Sequence, residues 1–145
     1  MLGFRNQAFS LIRLITESIA NKYGAIDEIF DRLANKAQEL PPKPKRQIEE
    51  IINLGYPFPL RLFCYRISVG IVVLFNGGIK SAETTQKSND LSLKFYEAQT
   101  FVGKIEDAIN HKMILQTPDG VALHVLCTSI FRMVQPRFSA SPLLL

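Results

Sequence analysis

The sequence predicts an α+β domain: a small antiparallel meander of strands, with N-terminal helices and a later amphipathic helix packed on it. Three observations carry this. Residues 4–22 and 91–110 repeat apolar residues at spacings of three and four, the period of a helix with one buried face. Residues 60–67, LRLFCYRI, and 71–75, IVVLF, are apolar runs of strand length. The segments joining them are short, and short connections link antiparallel strands, whereas parallel ones need a long crossover.

In FRNQAFSLIRLITESIANK, residues 4–22, the stripe is Phe4, Ala8, Leu11, Ile12, Ile15 and Ile19, with Arg5, Arg13, Glu17 and Lys22 mainly elsewhere. Gly24 is a plausible stop. Residues 25–39, AIDEIFDRLANKAQE, predict a second helix on Ile26, Ile29, Phe30, Leu33 and Ala37, with Asp27 and Glu28 in the first turn where the helix dipole favours acids. Pro41, Pro42 and Pro44 end it. Lys43, Lys45 and Arg46 beside these prolines read as a solvated linker or as a basic edge for a phosphate backbone. A short helix over 46–53, closed by Gly55, comes next, and Pro57 and Pro59 keep the approach to the first strand extended.

With period two, Leu60, Leu62, Cys64 and Arg66 share one face of the first strand, and Arg61, Phe63, Tyr65 and Ile67 the other. Both faces carry large apolar groups, so both are covered. Ser68–Gly70 supplies a tight turn. IVVLF has no polar face, which predicts a central strand buried on both sides. Asn76, Gly77 and Gly78 permit positive φ and predict another turn, with a third strand beginning at Ile79–Ser81. The polar loop 82–89 leads to Asn89 or Asp90 as helix cap, then to the helix on Leu91, Phe95, Ala98, Val102, Ile105 and Ile109. Residues 113–117 predict a strand and Thr117–Gly120 a turn. Residues 121–134 read as strand or buried helix, periodicity not deciding, and 135–145 as a frayed or docked tail.

Length and composition fit one globular domain: 145 residues, 47% hydrophobic and 21% charged. The net charge of +4 permits an anionic partner, and the surplus is uneven: +1 over residues 1–60, from eight basic and seven acidic side chains, and +3 over 61–145, from nine and six. Cys64 and Cys127 lie far apart in apolar runs, which reads as two reduced thiols in a cytoplasmic protein, with no zinc-site spacing. No apolar run reaches the roughly 18 residues of a membrane span, and no secretory signal is expected at the N-terminus. No cofactor or metal is expected.

Little in the chain resembles catalytic machinery. NGGIKS follows a strand, but a phosphate loop needs Gly directly before Lys-Ser, and here Ile79 intervenes. His111 and His124, the two histidines, lack metal-ligand spacing. Arg61, Arg66 and Lys80 stand out, because charges inside apolar strands are costly unless paired or placed at a margin. Two readings follow: internal ion pairs with acids of the second or third helix, or a cationic patch that grips phosphate during phosphodiester cleavage.

LRLFCYRI, then IVVLFNGGIKS, then a loop and an amphipathic helix, resembles the RelE/HigB-like toxins of type II toxin–antitoxin systems. The resemblance covers roughly residues 40–112 and marks the fold more than the chemistry. It implies a RelE/ParE-like sheet, ribosome-dependent mRNA cleavage without a metal, and neutralisation by a cognate antitoxin. It implies Arg61, Arg66 and Lys80 as catalytic residues, with His124 and Arg132 as late candidates. No tyrosine follows Tyr96, a departure from the RelE pattern that leaves the general acid/base group unassigned.

Three functions are therefore expected to compete. A ribonuclease would lay mRNA across the cations while an imidazole or hydroxyl activates the ribose 2′-OH. A binding module would hold RNA or a protein without cutting. A phage-derived interaction protein would dock a partner on the helix at 4–22.

Overall fold

The computed structural model describes residues 4–30, 37–42, 48–55, 57–80, 89–120 and 123–125. Within them the expected α+β architecture is present: a three-stranded antiparallel sheet with helices on both faces. The first helix, α1, spans Arg5–Arg13 and continues without a break as a π-helical segment, Leu14–Tyr23, that ends at Gly24 with φ +75°. Asn21 Nδ2 donates to the Thr16 carbonyl five residues back, at 2.8 Å, within this wider winding. The buried face is Leu11, Leu14, Ile15, Ser18 and Ile19. Ile12, expected in the stripe, is 52% exposed instead. The change to π-helical winding at Leu14 turns the residues after it relative to an α-helical count, so Ile12 does not line up with Ile15 and Ile19 as that count expects.

Among the described residues of the helix expected over 25–39, none is helical. Ile26 O accepts from the amides of Ile29 and Phe30, closing a turn that drives both of those side chains into the core. Residues 31–36 lie outside the described set, and Gln38–Leu40 forms strand β1. The prolines explain the reversal in part. Pro41 disfavours helical backbone at Leu40, and an antiparallel partner is at hand, with Gln38 opposite Cys64 and Leu40 opposite Leu62. Tertiary pairing outweighs a weak local propensity here. Helix α2, Glu49–Asn53, follows with Glu49 and Glu50 in its first turn, and Gly55 lies beyond it at φ +80°.

Strands β2, Leu60–Ser68, and β3, Ile71–Ile79, form a hairpin turned at Val69–Gly70. The sheet order is β1-β2-β3, so β2 is central and IVVLF, expected at the centre, flanks it. Asn76–Gly78 makes no turn, and no third strand starts at Ile79: β3 runs through that stretch, with Gly77 opposite Leu62 and Gly78 opposite Arg61. The glycines serve close approach. A Cβ on Gly77 would lie 2.2 Å from the Arg61 carbonyl oxygen, and one on Gly78 would meet Asp90, Leu91 and Lys94 at 3.1–3.2 Å. A register shift between Leu62 and Cys64 sets Phe63 of β2 against both Phe75 and Asn76 of β3, a bulge.

The alternation expected for β2 holds and sorts the interior into two cores. Cys64, joined by Val72 of β3, packs with Leu11, Ile15, Ile19, Ile29 and Phe30 on one face. Phe63, Tyr65, Val73 and Phe75 pack on the other against Leu91, Ala98, Val102 and Ile105 of helix α3, Asn89–Asn110. Phe63 meets Phe95 edge-on at 5.5 Å and Phe75 stacks with Phe101 at 5.9 Å. Each such side chain contributes about 1.5–3 kcal/mol by leaving water. Strands β4, Ile114–Gln116, and β5, Leu123–Val125, pair antiparallel, closed by a turn in which Gly120 N donates to Thr117 O. The stretch left open in sequence is thus strand at 123–125, and residues 126–145, including the expected tail, lie outside the described set. No helix among the described residues is long and apolar enough to cross a membrane.

Candidate functional site

Arg61 and Arg66 lie five residues apart on the central strand, and that odd spacing puts them on opposite faces about 17 Å apart. They do not form one patch. Arg61 shares the face of Phe63 and Tyr65, is 5% exposed, and turns its guanidinium back on its own chain. Its Nη1 donates to the carbonyls of Phe58 at 2.5 Å and Leu60 at 2.8 Å, and its Nε lies 3.9 Å from Glu39 Oε1 of β1. The cation therefore ties the Pro57–Pro59 approach to β2 and β2 to its neighbour.

Arg66 shares the face of Cys64. Its Nη1 donates to Asp27 Oδ1 at 2.5 Å, while its Nε is buried without a partner. Asp27 belongs to the turn after the π-helical segment, which is bound to the hairpin by Ala25 N donating to Val69 O at 2.8 Å. Both acids that meet these arginines come from the 25–39 segment, as the ion-pair reading expects, although that segment is a turn and a strand where described.

Lys80 closes the open end of the hairpin, its amide donating to Pro59 O at 2.7 Å, and its side chain is half-buried. It is thus at Arg61's end of β2 and away from Arg66. His124 stands in β5 opposite Leu115, with its side chain outside the described set, and Arg132 lies outside it altogether. His111 ends α3 as expected, its Nδ1 2.7 Å from the Asp107 carbonyl, which accepts from it in the Nδ1–H tautomer.

Sequence reading missed two features, one polar and one mainly apolar. Lys22 Nζ donates to Glu50 Oε1 at 2.5 Å and Tyr23 OH to Glu50 Oε2 at 3.0 Å, joining the π-helical segment to α2. These hydrogen bonds raise the Lys22 pKa and lower that of Glu50 from their ordinary values. Their partners are 28 residues apart in sequence, so no spacing signals them. The second is a groove of about 710 Å³ between the first turns of α1 and α3, lined by Phe4, Ala8, Leu60 and Ile79 together with Arg5 and the Asp90–Lys94 ion pair.

Cys64 is fully enclosed, and burial pushes its thiol pKa far up, so it is inert as a nucleophile at neutral pH. Among the described residues, no group of three or more His, Cys, Asp or Glu side chains is placed to hold a metal ion. Comparison with family models, curated proteins and solved structures returns no match.

Proposed function

We propose that this chain is the toxin component of a type II toxin–antitoxin system, a cytoplasmic, ribosome-dependent mRNA endoribonuclease that inhibits translation and is held inactive by a cognate antitoxin. The observation that carries the reading is the hairpin. The two segments that bear the resemblance, LRLFCYRI and IVVLFNGGIK, pair as adjacent strands of one antiparallel meander, with α3 across one face and α1 across the other. That is the arrangement the resemblance implies.

Within this reading the candidate residues take different parts. Arg61, buried and bonded to two carbonyls, acts as a fold residue. Arg66 of β2 and Lys80, next after β3, keep side chains in partial contact with solvent. The test is cell-free protein synthesis with the purified full chain. Synthesis stops in the presence of the wild-type protein and continues with a folded Arg66→Ala variant; unimpaired synthesis with the wild-type protein removes the toxin reading.

A second reading has its own support. Both strand arginines are engaged inside the fold, which favours a non-catalytic RNA- or protein-binding module on the same scaffold. It expects salt-sensitive RNA binding with no cleavage products.

A further inference from the structure

We infer that a polar pocket between the first helix and α2 is a binding site for a small neutral polyol, a molecule of the monosaccharide class. It shares no residue with the strand cations and goes beyond the nuclease reading.

The pocket encloses about 280 Å³. That is close to roughly 300 Å³, the lower end of the range for sites that hold small molecules. Arg13, Leu14, Glu17 and Ser18 form one wall, where α1 passes into the π-helical segment. Glu50 and Asn53 of α2, with Leu54 just after it, form the other. π-Helical winding is rare and recurs at functional sites.

Ser18 is the observation that points to a ligand. It is 5% exposed, lines the pocket and makes no hydrogen bond among the described residues. Ser10, Thr16 and Thr100 each donate to the carbonyl four residues back, at 2.9–3.0 Å. That is how a hydroxyl on a helix is ordinarily satisfied, and Ser18 departs from it. Leaving a buried hydroxyl unbonded is unfavourable. The Ser18 oxygen is not sealed in the core, so its free hydroxyl opens on the pocket.

The charges around the pocket decide the ligand class. Arg13 donates to Glu17 Oε2 through Nε and Nη2, both at 3.3 Å, and Lys22 Nζ donates to Glu50 Oε1 at 2.5 Å. An anion would face two carboxylates, and a cation would face a guanidinium and an ammonium. The capacity that remains is mixed. Glu17 Oε1 accepts, the Asn53 amide donates and accepts, and the Ser18 hydroxyl does both. Hydroxyl groups complement such a set, because each of them also donates and accepts. Leu14 and Leu54 supply apolar surface for the C–H face of a sugar ring.

The polyol can be a free monosaccharide or the ribose of a nucleoside. The experiment therefore titrates the full chain with ribose, glucose and uridine, and with sodium acetate and methylammonium chloride as charged probes. It follows the Asn53 side-chain amide and the Ser18 backbone amide by nitrogen-15 NMR, in the wild type, Ser18→Ala and Thr100→Ala. The expected result is a saturable shift of both signals with the polyols and none with the charged probes. Ser18→Ala should bind about fivefold to tenfold more weakly, the loss of one hydrogen bond, and Thr100→Ala as the wild type does. Uridine binding above ribose and glucose supports a nucleoside as the source; ribose or glucose above uridine supports a free sugar. Signals that stay in place at the highest polyol concentration overturn the inference. So does a folded Ser18→Ala variant that binds as tightly as the wild type, or a charged probe that binds more tightly than every polyol. Should Ser18→Ala fail to fold, Asn53→Ala, at an exposed position of α2, carries the same comparison.

Discussion

Gly77 lies so close to Arg61 that a single added carbon on it would stand 2.2 Å from the Arg61 carbonyl oxygen. The contact is with backbone, which cannot swing aside, and it falls where the bulge re-registers β3 against β2. Gly77→Ala is therefore expected to destabilise the protein by roughly 1–3 kcal/mol through forced backbone shifts. Gly103 is the control: it lies on the exposed side of α3, where an added methyl group would meet nothing within 4 Å. Gly103→Ala should stabilise by about 0.4–1 kcal/mol, because alanine has less backbone freedom to lose. Urea midpoints of the two variants check both signs.

Arg61 is expected to matter for folding. Arg61→Ala removes the donor to two carbonyls and the cation beside Glu39, a loss of roughly 3 kcal/mol. Any activity lost in this variant should track its unfolded fraction, which thermal melts run beside the activity assay will show. Full stability with lost activity would return Arg61 to the chemistry.

On the first helix, structure and periodicity disagree about which side chain is inside. Leu14 is 3% exposed and Ile12 52%. Leu14→Ala should cost about 2–5 kcal/mol by leaving a cavity, and Ile12→Ser should stay within about 0.5 kcal/mol of wild type. Denaturant titration separates them cleanly.

The Lys22–Glu50 pair gives a pH prediction. Glu50 has a folded-state pKa below its ordinary 4.5, so its contribution is present above that value and fades as pH falls through the lower folded pKa. Lys22 has a raised pKa, so its contribution is present below its ordinary 10.5 and fades as alkali titrates the folded form. The melting-temperature gap between wild type and Glu50→Gln should be open at neutral pH and narrow in acid, and salt should shrink it because the pair is exposed. A gap constant from neutral pH into strong acid would contradict the assignment.

The strands and long helix of this fold are readable because their signals are local. The apolar run LRLFCYRI marks the bounds of β2 within a residue, and the four-three spacing marks those of α3 within two. Strand β1 is not readable, because Gln38–Leu40 is extended through pairing with residues more than twenty positions away. Asn76–Gly78 is ambiguous in principle: two glycines suit a turn or a close approach, and only the opposing strand decides. The candidate site shows the same division. Residue type alone marks Arg61 and Arg66 as costly, and alternation alone puts them on opposite faces. That one is held by carbonyls beside Glu39 and the other by Asp27 depends on a segment that the sequence presents as a helix and that is a turn and a strand where described.

Primer extension on mRNA from translation reactions, with and without ribosomes, tests the proposed activity most directly. Cuts that appear only with ribosomes present, and vanish in a folded Arg66→Ala variant, are the result expected of an endoribonuclease toxin. Intact mRNA under both conditions, with the wild-type protein folded and in excess, would contradict it.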